Sequence, residues 1–280
     1  MPLLSFLLAA AVAQPCRDIP FHWTPGQVEI QVSVNGRPPR WFVLDSGAEW
    51  SVIGTDLANE IGLRTRPRLG RDFVSGVRFD FGGVTLLDQD AMVMPLDNFK
   101  KQHRDIHGLI GYDFFASRAV TIDFQKHVVR ACPAASFQPA ADDVAVPMEL
   151  AGRLPVVPVT LTLADGRRLS LRAMVDLGAQ QALIVRYAYA EAHKLFEGSR
   201  DASPSPSLEG PRSMKTIATK GVAVGPIALE IPSVRVFGAP TGSGGSSDSD
   251  ALIGNELLQR SRVTFDYLHR RLLLARPSIR

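Results

Sequence analysis

The clearest signal in the chain is a strict alternation of apolar and polar residues that occurs twice. Val28-Glu29-Ile30-Gln31-Val32-Ser33-Val34 alternates as a half-buried strand does, then meets Asn35-Gly36, a strong hairpin-turn dipeptide. An apolar arm, Trp41-Phe42-Val43-Leu44, returns and runs into Asp45-Ser46-Gly47-Ala48. In the second half Val157-Pro158-Val159-Thr160-Leu161-Thr162-Leu163 alternates, Asp165-Gly166 turns, and Leu171 to Val175 runs into Asp176-Leu177-Gly178-Ala179. Each aspartate therefore ends the returning arm of a predicted hairpin.

The likeness continues downstream. Gly108-Leu109-Ile110-Gly111 precedes Val120-Thr121-Ile122-Asp123-Phe124, and Ala251-Leu252-Ile253-Gly254 precedes Val263-Thr264-Phe265-Asp266-Tyr267. The spacing from Gly111 to Asp123 equals that from Gly254 to Asp266. A period this long exceeds that of solenoid repeats, so it predicts two homologous lobes rather than an array. Their expected extents are residues 14–131 and 146–280. The Pro- and Ala-rich segment 132–145 is the linker, and Gly242 to Ser247 is a surface loop that lengthens the second lobe. Helical signals are few: Asp56 to Gly62, capped by Thr55, and Val185 to Leu195, both soon after an aspartate turn. The fold class is all-β, with two β-rich lobes, a few short helices and a cleft between the lobes.

Composition narrows the function. With 280 residues and 45% hydrophobic positions the chain can bury real cores. A net charge of +3 is spread along the chain, and the C-terminal Arg270, Arg271, Arg276 and Arg280 are expected to be solvated, so no nucleic-acid partner is expected. Met1 to Ala13 is apolar and ends in Ala11-Val12-Ala13, the small-x-small pattern of a signal-peptidase site, although no basic residue precedes it. It is too short to span a bilayer, and Cys16 does not sit in a lipoprotein cleavage box. A periplasmic or secreted protein with no transmembrane segment after cleavage is expected. In such a compartment Cys16 and Cys132 are candidates for a disulfide.

Phe42 to Ile53, with Asp45-Ser46-Gly47-Ala48, then Ser51 and two aliphatic residues, resembles the catalytic turn of retropepsin-like aspartic proteases. Leu109-Ile110-Gly111 and Leu252-Ile253-Gly254 resemble that family's second signature, a strand threading behind the catalytic turn. The motifs cover most of both halves, as in the two-lobed pepsin-like branch and many bacterial proteins. The resemblance implies closed β-barrel lobes and Asp45 and Asp176 as catalytic residues. Ser46, Gly47, Ala48, Leu177, Gly178 and Ala179 would form the supporting turns.

The implied reaction is endopeptidase hydrolysis by a water held between two carboxylates that share a proton, with no metal or other cofactor. The implied partner is a peptide or protein substrate. A duplicated chain completes its own site, so a monomer is expected. A flap is expected over 70–81, with Ser75-Gly76 at its tip and Phe73 as its aromatic. Leu177 and Ala182 stand where the family places hydroxyls that brace the paired turns. The alternative is therefore a catalytically weak or silent homologue that binds peptides in the cell envelope.

Other chemistries lack their residues. His103 and His107 have no partner ligands nearby, and Asp88, Asp90, Asp248 and Asp250 lack calcium-loop spacing. Neither a Gly-x-Ser-x-Gly elbow nor a Gly-rich phosphate loop is present.

Overall fold

Alternation along the chain becomes strands because each can turn one face to a core and the other to water or to a second layer. A computed structural model describes residues 15–24, 26–97, 105–205, 210–240 and 248–276. The proposed signal segment, His103 and the Gly/Ser loop Gly242 to Ser247 lie outside the described residues, as does Arg280.

The first half carries β1 (Arg17–Pro20), β2 (His22–Thr24), β3 (Gln27–Val34), β4 (Arg40–Leu44), β5 (Ser51–Gly54) and β6 (Arg66–Arg68). It continues with β7 (Arg71–Asp80), β8 (Thr85–Met94), β9 (Ile106–Ile110), β10 (Arg118–Asp123) and β11 (Val128–Pro133). The second half carries β12 (Asp143–Pro147), β13 (Glu149–Ala151), β14 (Leu154–Leu163), β15 (Arg168–Val175), β16 (Leu183–Val185) and β17 (Arg200–Ser205). It ends with β18 (Arg212–Val224), β19 (Ile227–Leu229), β20 (Ser233–Phe237), β21 (Ala251–Ile253), β22 (Val263–Asp266) and β23 (Arg271–Ala275). Strand accounts for 54% and helix for 10% of the structure, so the all-β expectation holds.

Each half closes into a six-stranded barrel. In the first the ring runs β3-β4-β9-β5-β8-β7 and closes by pairing β7 with β3. In the second it runs β14-β15-β21-β16-β20-β18 and closes by pairing β18 with β14. Asn35 and Gly36, both left-handed at φ 51° and 73°, make the tight turn that returns β4 against β3. Phe42, Leu44, Ile53 and Ile110 fill one barrel and Ala173, Val175, Val185 and Ile253 the other.

Below the barrels a third sheet, ordered β1-β11-β10-β22-β23-β12, takes three strands from each half. At its centre β10 and β22 pair antiparallel with Thr121 opposite Thr264, and their hydroxyls hydrogen-bond at 2.7 Å. The repeated Val-Thr-x-Asp segments thus meet on the pseudo-twofold axis. Cys16 and Cys132 are disulfide-bonded across the β1 edge of this sheet.

Two local expectations are corrected. The expected linker 132–145 is largely structured: Pro133 ends β11, Ala134–Ser136 is a 3-10 turn and β12 begins at Asp143. Pairing with β23 outweighs the irregular composition there. The helices are shorter than expected, Thr55–Glu60 and Tyr187–Ala192, and Thr55 lies inside the first rather than capping it, because Gly54 holds the cap position.

Candidate active site

Each lobe builds the same turn. β4 and β9 run parallel with Leu44 beside Ile110, and β15 and β21 run parallel with Val175 beside Ile253. The Asp45 amide donates to the Ile110 carbonyl and the Asp176 amide to the Ile253 carbonyl, both at 2.9 Å. The Tyr112 and Asn255 amides then donate to Ala48 and Ala179. The chain after each Leu-Ile-Gly therefore passes behind the aspartate turn. Space explains the glycines: a Cβ on Gly111 would lie 2.6 Å from the Ala48 carbonyl oxygen, and one on Gly254 2.4 Å from that of Ala179.

The two turns face one another. A Cβ on Gly47 would strike the Asp176 carboxyl at 2.7 Å, and one on Gly178 the Asp45 carboxyl at 2.8 Å. The Gly47 amide donates to Asp45 Oδ1 and the Gly178 amide to Asp176 Oδ1, each at 2.8 Å. The two buried carboxyl groups are therefore close neighbours, and each titrates under the influence of the other. Two carboxylates held this close resist double ionisation, so the pair keeps a proton more readily than either group alone.

Burial raises Asp45 well above the usual carboxylate range, and the charge of Asp176 raises it further. Burial also raises Asp176, but the amides of Gly178 and Ala179, the neighbouring Asp45 and the positive charge of Arg186 oppose it. The titration therefore belongs to the pair and not to either residue alone.

Ser46 crosses between the lobes. Its buried hydroxyl donates to the Val175 carbonyl at 2.7 Å and accepts from the Leu177 amide at 3.1 Å. Leu177 is fully buried and offers no reciprocal hydroxyl. Asn255 makes up part of that bracing: its Nδ2 donates to the carbonyls of Leu177 at 2.7 Å and Gly26 at 2.8 Å. Ser51 accepts from the Gly111 amide, whereas the Ala182 amide donates to Glu256.

The flap expectation is corrected. Ser75 and Gly76 lie inside β7, at an irregularity where its pairing with β8 shifts register, and they form no turn. The hairpin bend falls earlier, at Leu69-Gly70 between β6 and β7, with both residues left-handed at φ 54° and 71°. Leu69 at this tip is 78% exposed. Phe73 is buried with its ring edge-on to Trp50 at 5.3 Å.

Sequence reasoning passed over Trp50 and Arg153, which tie this region together. The Arg153 guanidinium, from the tight β13–β14 hairpin of the second lobe, stacks on the Trp50 ring at 3.7 Å. It also donates to the Glu49 carbonyl and pairs with Asp113 at 3.5 Å. Arg68 from the β6–β7 hairpin lies over the same ring at 5.0 Å. The neighbouring phenol of Tyr267 is fully enclosed, and burial, with the charges of Tyr112 and Asp45, holds it well above its ordinary range.

The remaining candidates stand apart. His107 faces Asp105 at 3.4 Å, Asp90 pairs with Arg68, and Asp250 accepts from the Arg172 amide. Among the described residues no cluster of His, Cys, Asp and Glu is arranged to hold a metal, and no helix is long and apolar enough to cross a membrane.

Residues 30–114 match the family model for aspartyl proteases. No curated protein matches the chain. Among solved structures the chain is similar to the aspartic proteinase from Irpex lacteus, with a TM-score of 0.57 and 12% identity over 94% of this chain and 98% of that one. It is also similar to basic 7S globulin from soybean, with a TM-score of 0.47 and 10% identity over 93% and 94% of the two chains. The fold is the two-barrel fold of pepsin-like aspartic proteinases. The match to the aspartyl protease family model lies within the first lobe.

Proposed function

We propose that the protein is an aspartic endopeptidase that hydrolyses extended peptides between its lobes by means of Asp45 and Asp176. The single observation that carries this reading is the close approach of two buried carboxyl groups on symmetry-related turns, each in the path of a Cβ on the other turn's glycine. Asp176, favoured as the ionised member by its amide donors and by Arg186, takes a proton from a water bound between the pair. That water attacks the peptide carbonyl. Asp45 supplies its proton to the carbonyl oxygen as negative charge develops there, and proton return through the dyad releases the amine.

The arrangement needs no metal or organic cofactor. Substrate would lie as a strand across the dyad, beneath the β6–β7 hairpin, whose exposed Leu69 offers an apolar contact at the tip. A monomer suffices because one chain supplies both turns. Export is supported by the apolar N-terminus and by the Cys16–Cys132 bond, which suits an oxidising compartment.

The test is to incubate the purified protein with a mixed peptide library from acidic to neutral pH, beside Asp45→Asn and Asp176→Asn. Cleavage lost in both variants supports the enzyme. Peptide binding without cleavage in all three proteins supports the silent peptide binder, the reading that buried Leu177 favours.

A further inference from the structure

The two lobes repeat each other closely enough that a charge present in only one of them stands out. Ten residues after its aspartate the first lobe carries Thr55, the first residue of its short helix, and the second lobe carries Arg186, which caps the helix after β16. Arg186 is extended, at φ −73° and ψ 150°, so its side chain leaves β16 on the same face as Ile184. Ile184 belongs to an apolar patch with Leu154, Met174, Met214, Phe237 and Leu252. Met174 in turn lies two residues before Asp176, on the face from which that carboxylate projects. The patch, the guanidinium and the carboxylate therefore share one side of the second barrel.

This guanidinium is poorly matched. It is half-buried, its Nε donates to Ser249 Oγ at 3.1 Å, and no carboxylate among the described residues lies within ion-pair distance. Asp250, whose carbonyl accepts from the Arg186 amide, gives its carboxylate to the Arg172 amide. A second guanidinium, that of Arg212, lies over the Phe237 ring at 5.7 Å, on the same patch. Burial weakens the proton affinity of Arg186, the charge of Asp176 strengthens it, and that of Arg212 weakens it further. A desolvated cation is costly without a partner, and an apolar floor beneath two guanidinium groups fits a ligand with a carboxylate head and an aliphatic stem.

We propose that Arg186, assisted by Arg212, forms a carboxylate subsite beside Asp176, taking either an Asp or Glu side chain of the substrate or its free C-terminus. The proposal rests on the peptide-cleft reading above and adds polarity to it, since the first lobe has no matching cation at the equivalent position. Acidic character is then required at one register only, on the second-lobe side of the scissile bond.

The experiment uses the full mature protein and its R186Q, R186K and R186E variants, with thermal melts to confirm folding. The probes are fluorescent peptides in which one Glu is walked along the sequence, their Gln counterparts, and each peptide with a free or amidated C-terminus. Binding is read by anisotropy in an Asp45→Asn background and cleavage by mass spectrometry with Asp45 intact. The expected result is a preference of about 10- to 100-fold for the carboxylate at one register. R186Q abolishes it, R186K keeps part of it and R186E turns it toward Lys. Preference that follows internal Glu assigns the side chain, and preference that follows the free terminus assigns the chain end. Equal handling of Glu and Gln and of acid and amide, or a preference that survives R186Q, overturns the subsite alone. Failure of every peptide to bind or be cleaved overturns the peptide-cleft reading and the subsite with it.

Discussion

At the scale of single residues, the site is governed by one proton and one hydroxyl. Asp45 is raised above its ordinary range in the folded protein, so it stays protonated where the unfolded chain has already ionised. Folding is therefore penalised increasingly as pH rises through the carboxylate range, and unaffected below it, where both states are protonated. Asp45→Asn removes the penalty. Its stability relative to wild type should rise from acid to neutral pH in denaturant titrations while cleavage falls by about 10²-fold or more. A variant whose relative stability is the same at both pH values would refute the shared proton. Ser46→Ala leaves the Leu177 amide and the Val175 carbonyl without their cross-lobe partner and should cost about 1–3 kcal/mol, measured the same way. Arg186→Gln withdraws a positive charge that favours ionised Asp176. The acidic limb of the activity profile should therefore move to higher pH, a shift that loss of packing alone would not give.

At the scale of elements, what was legible depended on whether local chemistry or a distant strand decided the structure. Asn35-Gly36 and the alternation of β3 fix a hairpin by themselves, and the sequence pattern alone located both aspartate turns. Ser75-Gly76 has equally strong turn chemistry, but β8 pairs along the length of β7 and absorbs the pair as an irregularity. The true bend, Leu69-Gly70, was hidden because a leucine at positive φ is a poor turn residue. That mismatch makes the hairpin testable. Gly70→Val forces a β-branched side chain into a left-handed position and should strain the tip. Leu69→Gly relaxes it but removes the apolar contact. If this hairpin covers the cleft, both changes lower kcat/KM with little effect on the melting temperature. Unaltered kinetics in both would exclude it as the cover.

At the scale of the whole molecule, the duplication was readable because both copies kept the same spacing, whereas the contacts that join the copies were not. Asn255 and Arg153 act on residues far away in sequence, and nothing around them announces it, although Asn255 directly follows the second Leu-Ile-Gly. Arg153 carries the second lobe onto Trp50, Tyr112 and Asp113 of the first. Burial raises Asp113 above its usual range and the charge of Arg153 opposes that rise. Arg153→Ala therefore raises Asp113 further. Below the carboxylate range Asp113 is neutral in folded and unfolded chains alike, so the variant loses the ring contacts, about 0.5–2 kcal/mol, and the hydrogen bond to the Glu49 carbonyl, neither of which depends on the charge of Asp113. As pH rises, the folded variant must either keep Asp113 protonated or bury its charge unpaired, and the deficit against wild type should widen. Adding Asp113→Asn to Arg153→Ala removes the titrating group, so its deficit should be flat with pH. Denaturant titrations of the single and double variants at acid and neutral pH decide it. A single-variant deficit that does not grow with pH would mean that the arginine joins the lobes through its contact with the ring and not through its charge.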